Sequence, residues 1–224
     1  MKGIKLKRSL LCFVMVFSIV FSLCGCKEEE ISIDDMPEIV FVVYQLYNDD
    51  YIDGEYAGKK YEGYYITRTG EIMFFEFNED EVALHKQLDE ETYERLENDK
   101  FTMTDLVEYN NLEEFHKKIT QYAVPSKYDR ISNEDMQMYY KMLLKANINC
   151  KTKRDSRPED IYFGYTGCYG VRFNDNADMQ FIPLYELGSN CFAIKDRNCQ
   201  KLHENLKKLL PDNKLVFFEW RNFK

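Results

Sequence analysis

The chain has 224 residues, with 30 Lys and Arg against 39 Asp and Glu, and carries a formal charge of −9 at neutral pH. Four of the basic residues and none of the acidic ones fall in the first 25 positions, so the remaining 199 residues hold 26 basic against 39 acidic groups, a net −13. That balance excludes binding of nucleic acid or anionic lipid through a general electrostatic field, and 199 residues suffice for one well-filled core. The aromatic share of 15% accompanies abundant Lys, Asn and Ile, a pattern read here as A/T-rich coding rather than as a sugar-binding signal.

Lys2, Lys5, Lys7 and Arg8 precede an apolar run from Leu10 to Leu23 that only Ser18 and Ser22 interrupt. A basic flank followed by an apolar run too short for a comfortable membrane span has the layout of an export signal. The run closes on Leu23-Cys24-Gly25-Cys26, which resembles the lipobox of bacterial lipoproteins. The resemblance implies a diacylglyceryl thioether on Cys26, cleavage just before it, and acylation of the new N-terminus, with fatty chains such as palmitate. Residues 1–25 then form the signal peptide and residues 26–37 a lipidated acidic tether, on the extracytoplasmic face of the cell membrane. The competing readings of the same stretch are an uncleaved anchor and an ordinary secretory signal. One acyl chain holds a bilayer weakly, at about 0.8 kcal/mol per buried CH₂, whereas two or three on one residue anchor stably.

Downstream, residues 38–224 are expected to form a single domain. Glu38–Tyr47 is rich in β-branched and aromatic residues and predicts a buried strand. Asn48–Lys60, with Gly54, Gly58 and clustered Asp, predicts a loop. Tyr61–Phe77 predicts a hairpin turning at Arg68-Thr69-Gly70, with Gly70 supplying a positive φ. Val82, Leu84, Leu88, Tyr93 and Leu96 are spaced for short helices. A longer helix from Thr104 presents Leu106, Tyr109, Leu112, Phe115 and Ile119, and Pro125 ends that region. Ser132 with Asp135 begins another helix, with Met136, Tyr139, Tyr140, Leu143 and Leu144 as its apolar stripe. Lys151–Arg157 reads as a basic linker. A second strand region follows from Ile161 to Lys195, then a helix capped by Asp196 or Asn198 and bearing Cys199, Leu202, Leu206 and Leu209. Lys214–Trp220 is a possible last strand. The fold class is therefore α+β, with antiparallel sheet regions flanking a central helical segment and a C-terminal helix and strand.

Four places are candidates for chemistry. Gly167-Cys168-Tyr169-Gly170-Val171-Arg172 resembles the Ser-His-Gly-Cys-Ile/Val-Arg signature of L,D-transpeptidases, which would make Cys168 a nucleophile and Arg172 a positioning charge. Thr166 stands where that family has its activating histidine, and a thiol of ordinary pKa needs a base or positive field to become thiolate. Cys150, Cys168, Cys191 and Cys199 could pair as two disulfides in three ways. In a simple meander, however, Cys168 and Cys191 would lie two strands, roughly 9.6 Å, apart, and Cys199 would start its helix at the opposite sheet edge. Cys199 and His203 share one helix turn, with His85 and His116 elsewhere, but no three-ligand zinc set is spaced in the sequence, and His203 is expected at the surface or a boundary. Two Asp/Asn clusters, at Asp49–Gly54 and Asn174–Asp178, fall short of a calcium loop's ligand count and read as turns.

The composite expectation is a lipoprotein that resembles the small surface lipoproteins of low-GC Gram-positive bacteria, held to the membrane through lipid on Cys26. It would be a binding or assembly module for an envelope protein or carbohydrate, with no cofactor and no metal. The alternative is a cysteine-dependent cell-wall enzyme of the L,D-transpeptidase type using Cys168. The binding surface is expected at Asp49, Tyr51, Asp53 and Tyr56, where tyrosines interleave with carboxylates on the Asn48–Lys60 loop, flanked by Tyr47 and Tyr61. The competing reading packs these tyrosines back on the sheet.

Overall fold

A computed structural model describes residues 31–48, 59–79, 90, 94, 111–147, 152–155, 165–187 and 191–209. Its strands are β1 (Ile39–Asn48), β2 (Lys59–Thr67), β3 (Ile72–Glu79), β4 (Ala123–Pro125), β5 (Thr152–Asp155), β6 (Tyr165–Phe173), β7 (Met179–Leu187) and β8 (Cys191–Ile194). Its helices are α1 (Leu112–Gln121), α2 (Asn133–Leu144) and α3 (Arg197–Leu209). Among the described residues these eight strands join one sheet in the order β4-β3-β2-β1-β6-β7-β8-β5, and each pair is antiparallel. The α+β class follows, but the two sheet regions seen in the sequence are halves of one sheet, welded where β1 pairs with β6.

β1 sits between the halves, which explains its composition. Residues 39–46 are buried without alternation, because a strand with helices on both faces has no polar side. Even-numbered Val42 and Tyr44 face α1, whose Leu112, Phe115 and Ile119 close a core with Tyr61, Phe75 and Phe77. Phe115 anchors it, with ring centroids 4.6 Å from Tyr44, 5.6 Å from Tyr61 and 5.9 Å from Phe75. Odd-numbered Phe41 and Val43 face the other way; the Phe41 ring meets Tyr139 of α2 at 6.5 Å.

The β2–β3 hairpin turns at Gly70, whose φ is +81°, as its sequence predicts. Ser132 caps α2 as expected: its Oγ accepts from the Asp135 backbone N–H at 3.1 Å and donates to Asp135 Oδ2 at 2.9 Å. Asp196, rather than Asn198, caps α3, its Oδ1 accepting from the backbone N–H groups of Asn198 and Cys199.

Several expectations are corrected. Pro125 does not simply end a helical region: residues 123–125 form the edge strand β4 against β3. Part of the supposed basic linker is strand β5, paired with β8. As the opposite sheet edge, Thr-Lys-Arg-Asp suits a position where charged side chains discourage further strand pairing. Leu144 is 41% exposed rather than part of the α2 stripe, which consists of Met136, Tyr139, Tyr140 and Leu143. The last residues assigned to the tether are already folded, with a 3₁₀ turn at Ile33–Asp35 and Met36 and Pro37 buried. The helical spacing between residues 82 and 96 lies outside the described residues except at Glu90 and Glu94, which are helical. Residues 210–224, with the possible last strand, also lie outside them.

Candidate functional site

A group of buried polar side chains lies where α3 crosses the sheet, on the face opposite α1. The strand registers align one cross-strand row there: Tyr64 of β2 opposite Val43, Val43 opposite Cys168, Cys168 opposite Tyr185, and Tyr185 opposite Ala193. α3 lies over this row. Tyr64 donates its hydroxyl to the Leu206 carbonyl at 3.4 Å, and the Tyr185 ring meets His203 edge-on with centroids 4.6 Å apart. Cys199 stands one helical turn before His203 on the same face. Cys168 is 2% exposed, and Cys199 and His203 are each 1%.

The electrostatics of this row are those of a sealed interior. Burial pushes the Cys168 thiol well above its ordinary pKa, and neighbouring Cys199 raises it further. Burial likewise holds the Tyr64 and Tyr185 hydroxyls protonated, with Cys168 adding to both shifts. A thiol in this setting is a proton-bearing, water-excluded group and a poor nucleophile. Arg172 is equally committed elsewhere. Its Nη1 donates to the carbonyls of Leu143, Leu144 and Ala146 at 2.9, 3.0 and 3.3 Å, and its Nε to Gln180 Oε1 at 2.9 Å. It closes the C-terminal end of α2, where a cation complements unsatisfied carbonyls.

Other sequence candidates fall as follows. Cys191 begins β8 with β7 between it and β6, so the meander that separates it from Cys168 is the real topology. Cys199 lies in the first turn of α3, which follows β8, the strand next to the β5 edge, and it is buried there. His203, expected at the surface or a boundary, is core. Asn174 Oδ1 accepts from the backbone N–H groups of Asn176 and Asp178, both at 2.9 Å, so that cluster is a turn. Among the described residues no group of three His, Cys, Asp or Glu converges as metal ligands. Tyr61 is fully buried and stacks on Phe77 at 5.1 Å, so the tyrosine set expected around the β1–β2 loop includes a core residue. Asp49, Tyr51, Asp53 and Tyr56, together with Cys26 and Cys150, lie outside the described residues. The ends of their loop are defined by the pairing of Asn48 with Lys59, which extends both strands into the stretch read as loop.

The sequence signal for the buried row was partial. The four-residue spacing of Cys199 and His203 marks one helix face, but nothing local tells that Cys168, Tyr64 and Tyr185 share a row beneath it. The chain matches no protein-family model, no curated protein and no solved structure.

Proposed function

We propose that the protein is a lipid-anchored extracytoplasmic lipoprotein whose folded domain serves as a binding or assembly module at the cell envelope. The observation that carries this reading is the tetrad Leu23-Cys24-Gly25-Cys26 at the junction of an apolar, basic-flanked segment and an acidic one. No helix among the described residues is long and apolar enough to cross a membrane. The burial of Cys168 and the commitment of Arg172 to α2 favour a binding module over a cysteine-dependent enzyme. Recognition by Asp49, Tyr51, Asp53 and Tyr56 is proposed for the connection between β1 and β2, since loops on a rigid sheet commonly carry binding groups.

The test is mass spectrometry of the N-terminal peptide from detergent-extracted membranes of cells making the full chain. The expected product begins at Cys26 and carries thioether-linked and amide-linked acyl chains, whereas Cys26→Ala leaves the unacylated precursor. An unmodified Cys26, or a mature chain beginning elsewhere, overturns the anchor.

A further inference from the structure

We propose that Cys168 and Cys199 are disulfide partners, closing under oxidising conditions into a bridge that staples α3 to the centre of the sheet. The two thiols come from different elements and are both buried, Cys168 in the strand row that α3 covers and Cys199 on the first turns of α3. Cys168 lies opposite Tyr185 in the β6–β7 ladder, the Tyr185 ring abuts His203 at 4.6 Å, and Cys199 is the residue one turn before His203 on the same helix face. Both sulfurs are buried, and each is a thiol in the structure. The other assignable partner, Cys191, is separated from Cys168 by strand β7.

The chemistry is thiol–disulfide exchange with an oxidant of the disulfide class, either an oxidised small thiol or an oxidised dithiol protein. One cysteine thiolate attacks a sulfur of the oxidant, forming a mixed disulfide and releasing one oxidant thiolate. The second cysteine thiolate then attacks its partner's sulfur in that mixed disulfide and displaces the other oxidant thiolate. The two cysteines lose two electrons and two protons, and the oxidant leaves as two thiols. Because the docked pair is sealed from water, exchange occurs while α3 is undocked. The bridge therefore forms during folding, and in the folded reduced protein it is limited by local opening of that helix. Exposure to an oxidising compartment rests on the export reading above; the pairing itself does not.

Trypsin sorts the four candidate cysteines into separate peptides: 146–151 with Cys150, 155–172 with Cys168, 173–195 with Cys191 and 198–201 with Cys199. The purified full chain is reduced, unfolded, refolded in a glutathione redox buffer, alkylated under denaturing conditions and digested without reductant. The expected product is peptide 155–172 joined to peptide 198–201. Alkylated, unlinked forms of these two peptides as the main products, or linkage of either to the peptide bearing Cys150 or Cys191, overturn the proposal. A second measurement is the thermal midpoint of the refolded protein, which should drop on the order of 5–15 °C when reductant is added. Cys168→Ala and Cys199→Ala should each abolish that sensitivity to reductant, and if either fails to fold, the wild-type peptide map still decides. The same map on protein recovered from cell membranes reads the compartment: a bridge after refolding with free thiols in the cellular protein faults the export reading and leaves the pairing intact.

Discussion

Arg172 reaches from β6 to the end of α2, 29 residues earlier in the chain, and donates to the Leu143 carbonyl at 2.9 Å. With its further bonds to Leu144, Ala146 and Gln180, the guanidinium ties β6 to the carbonyl end of α2, adding charged donors where the Ala146 N–H already reaches the Leu143 carbonyl. Arg172→Met should therefore destabilise the protein by about 3 kcal/mol. Arg172→Lys should recover less than half of that, since a single ammonium cannot reproduce the fork of donors. Chemical denaturation of the three proteins checks this; full recovery by lysine would mean that charge alone matters at this position.

Phe115 occupies the middle of the aromatic core on the α1 side. Removing its ring leaves a void bounded by Tyr44, Tyr61 and Phe75, all held by strand pairing and unable to collapse freely. Phe115→Ala should cost about 3–5 kcal/mol and Phe115→Leu roughly half as much. A urea midpoint for Phe115→Ala close to that of the wild type would show that α1 is not part of the stabilising core.

Gly70 combines a φ of +81° with close packing, since a Cβ there would lie 2.3 Å from the Ile131 carbonyl oxygen. The Ile131 N–H also donates to the Gly70 carbonyl at 2.8 Å, tying the hairpin to the entry of α2. Gly70→Ala adds backbone strain of about 1–2 kcal/mol and displaces that contact, so a total loss above about 2 kcal/mol is expected. Thermal unfolding measures it, and a change below 0.5 °C would refute the packing argument.

Two kinds of buried titrating group limit stability from opposite sides of the pH scale. His116 sits half-buried on α1, edge-on to Phe181, and burial lowers its pKa despite an opposing contribution from Glu113. The unfolded chain then takes up a proton first as pH falls, so this group's contribution is present above about pH 6.5 and is lost below it. Cys168, Tyr64, Tyr169 and Tyr185 are shifted upward by burial, so the unfolded chain releases protons first as pH rises. Their contribution is complete below the ordinary thiol and phenol pKa values and declines above about pH 9, at up to about 1.4 kcal/mol per pH unit for each group. Denaturation midpoints between pH 5 and 11 should form a plateau from about pH 7 to 9, and His116→Gln should flatten its acid side. A monotonic rise through pH 10 would contradict the burial of these groups.

Local order was readable because its causes are local. The Gly70 turn, the Ser132 cap and the burial of Leu112, Phe115 and Ile119 each depend on residues within a turn or two of one another, and short-range sterics and hydrogen bonding decide them. The edge strand β5 reads as a linker in the sequence for the same reason: its charged residues carry no strand signal, and only pairing with β8 makes them a strand.

From the amino-acid order alone came the class of the fold, the helices that begin at Ser132 and Asp196, the Gly70 turn, and the expectation of lipid attachment at Cys26. Only the tertiary structure decided that the two strand regions form one sheet through β1 and β6, because that pairing joins segments more than a hundred residues apart. It also decided that His203 and Cys199 lie in the core and that α3 packs over the strand row that holds Cys168. The physical reason is the same in each case. A helix face or a strand row is encoded by spacing, but what it faces depends on which distant surface buries the most apolar area, and that is settled by packing the whole chain at once.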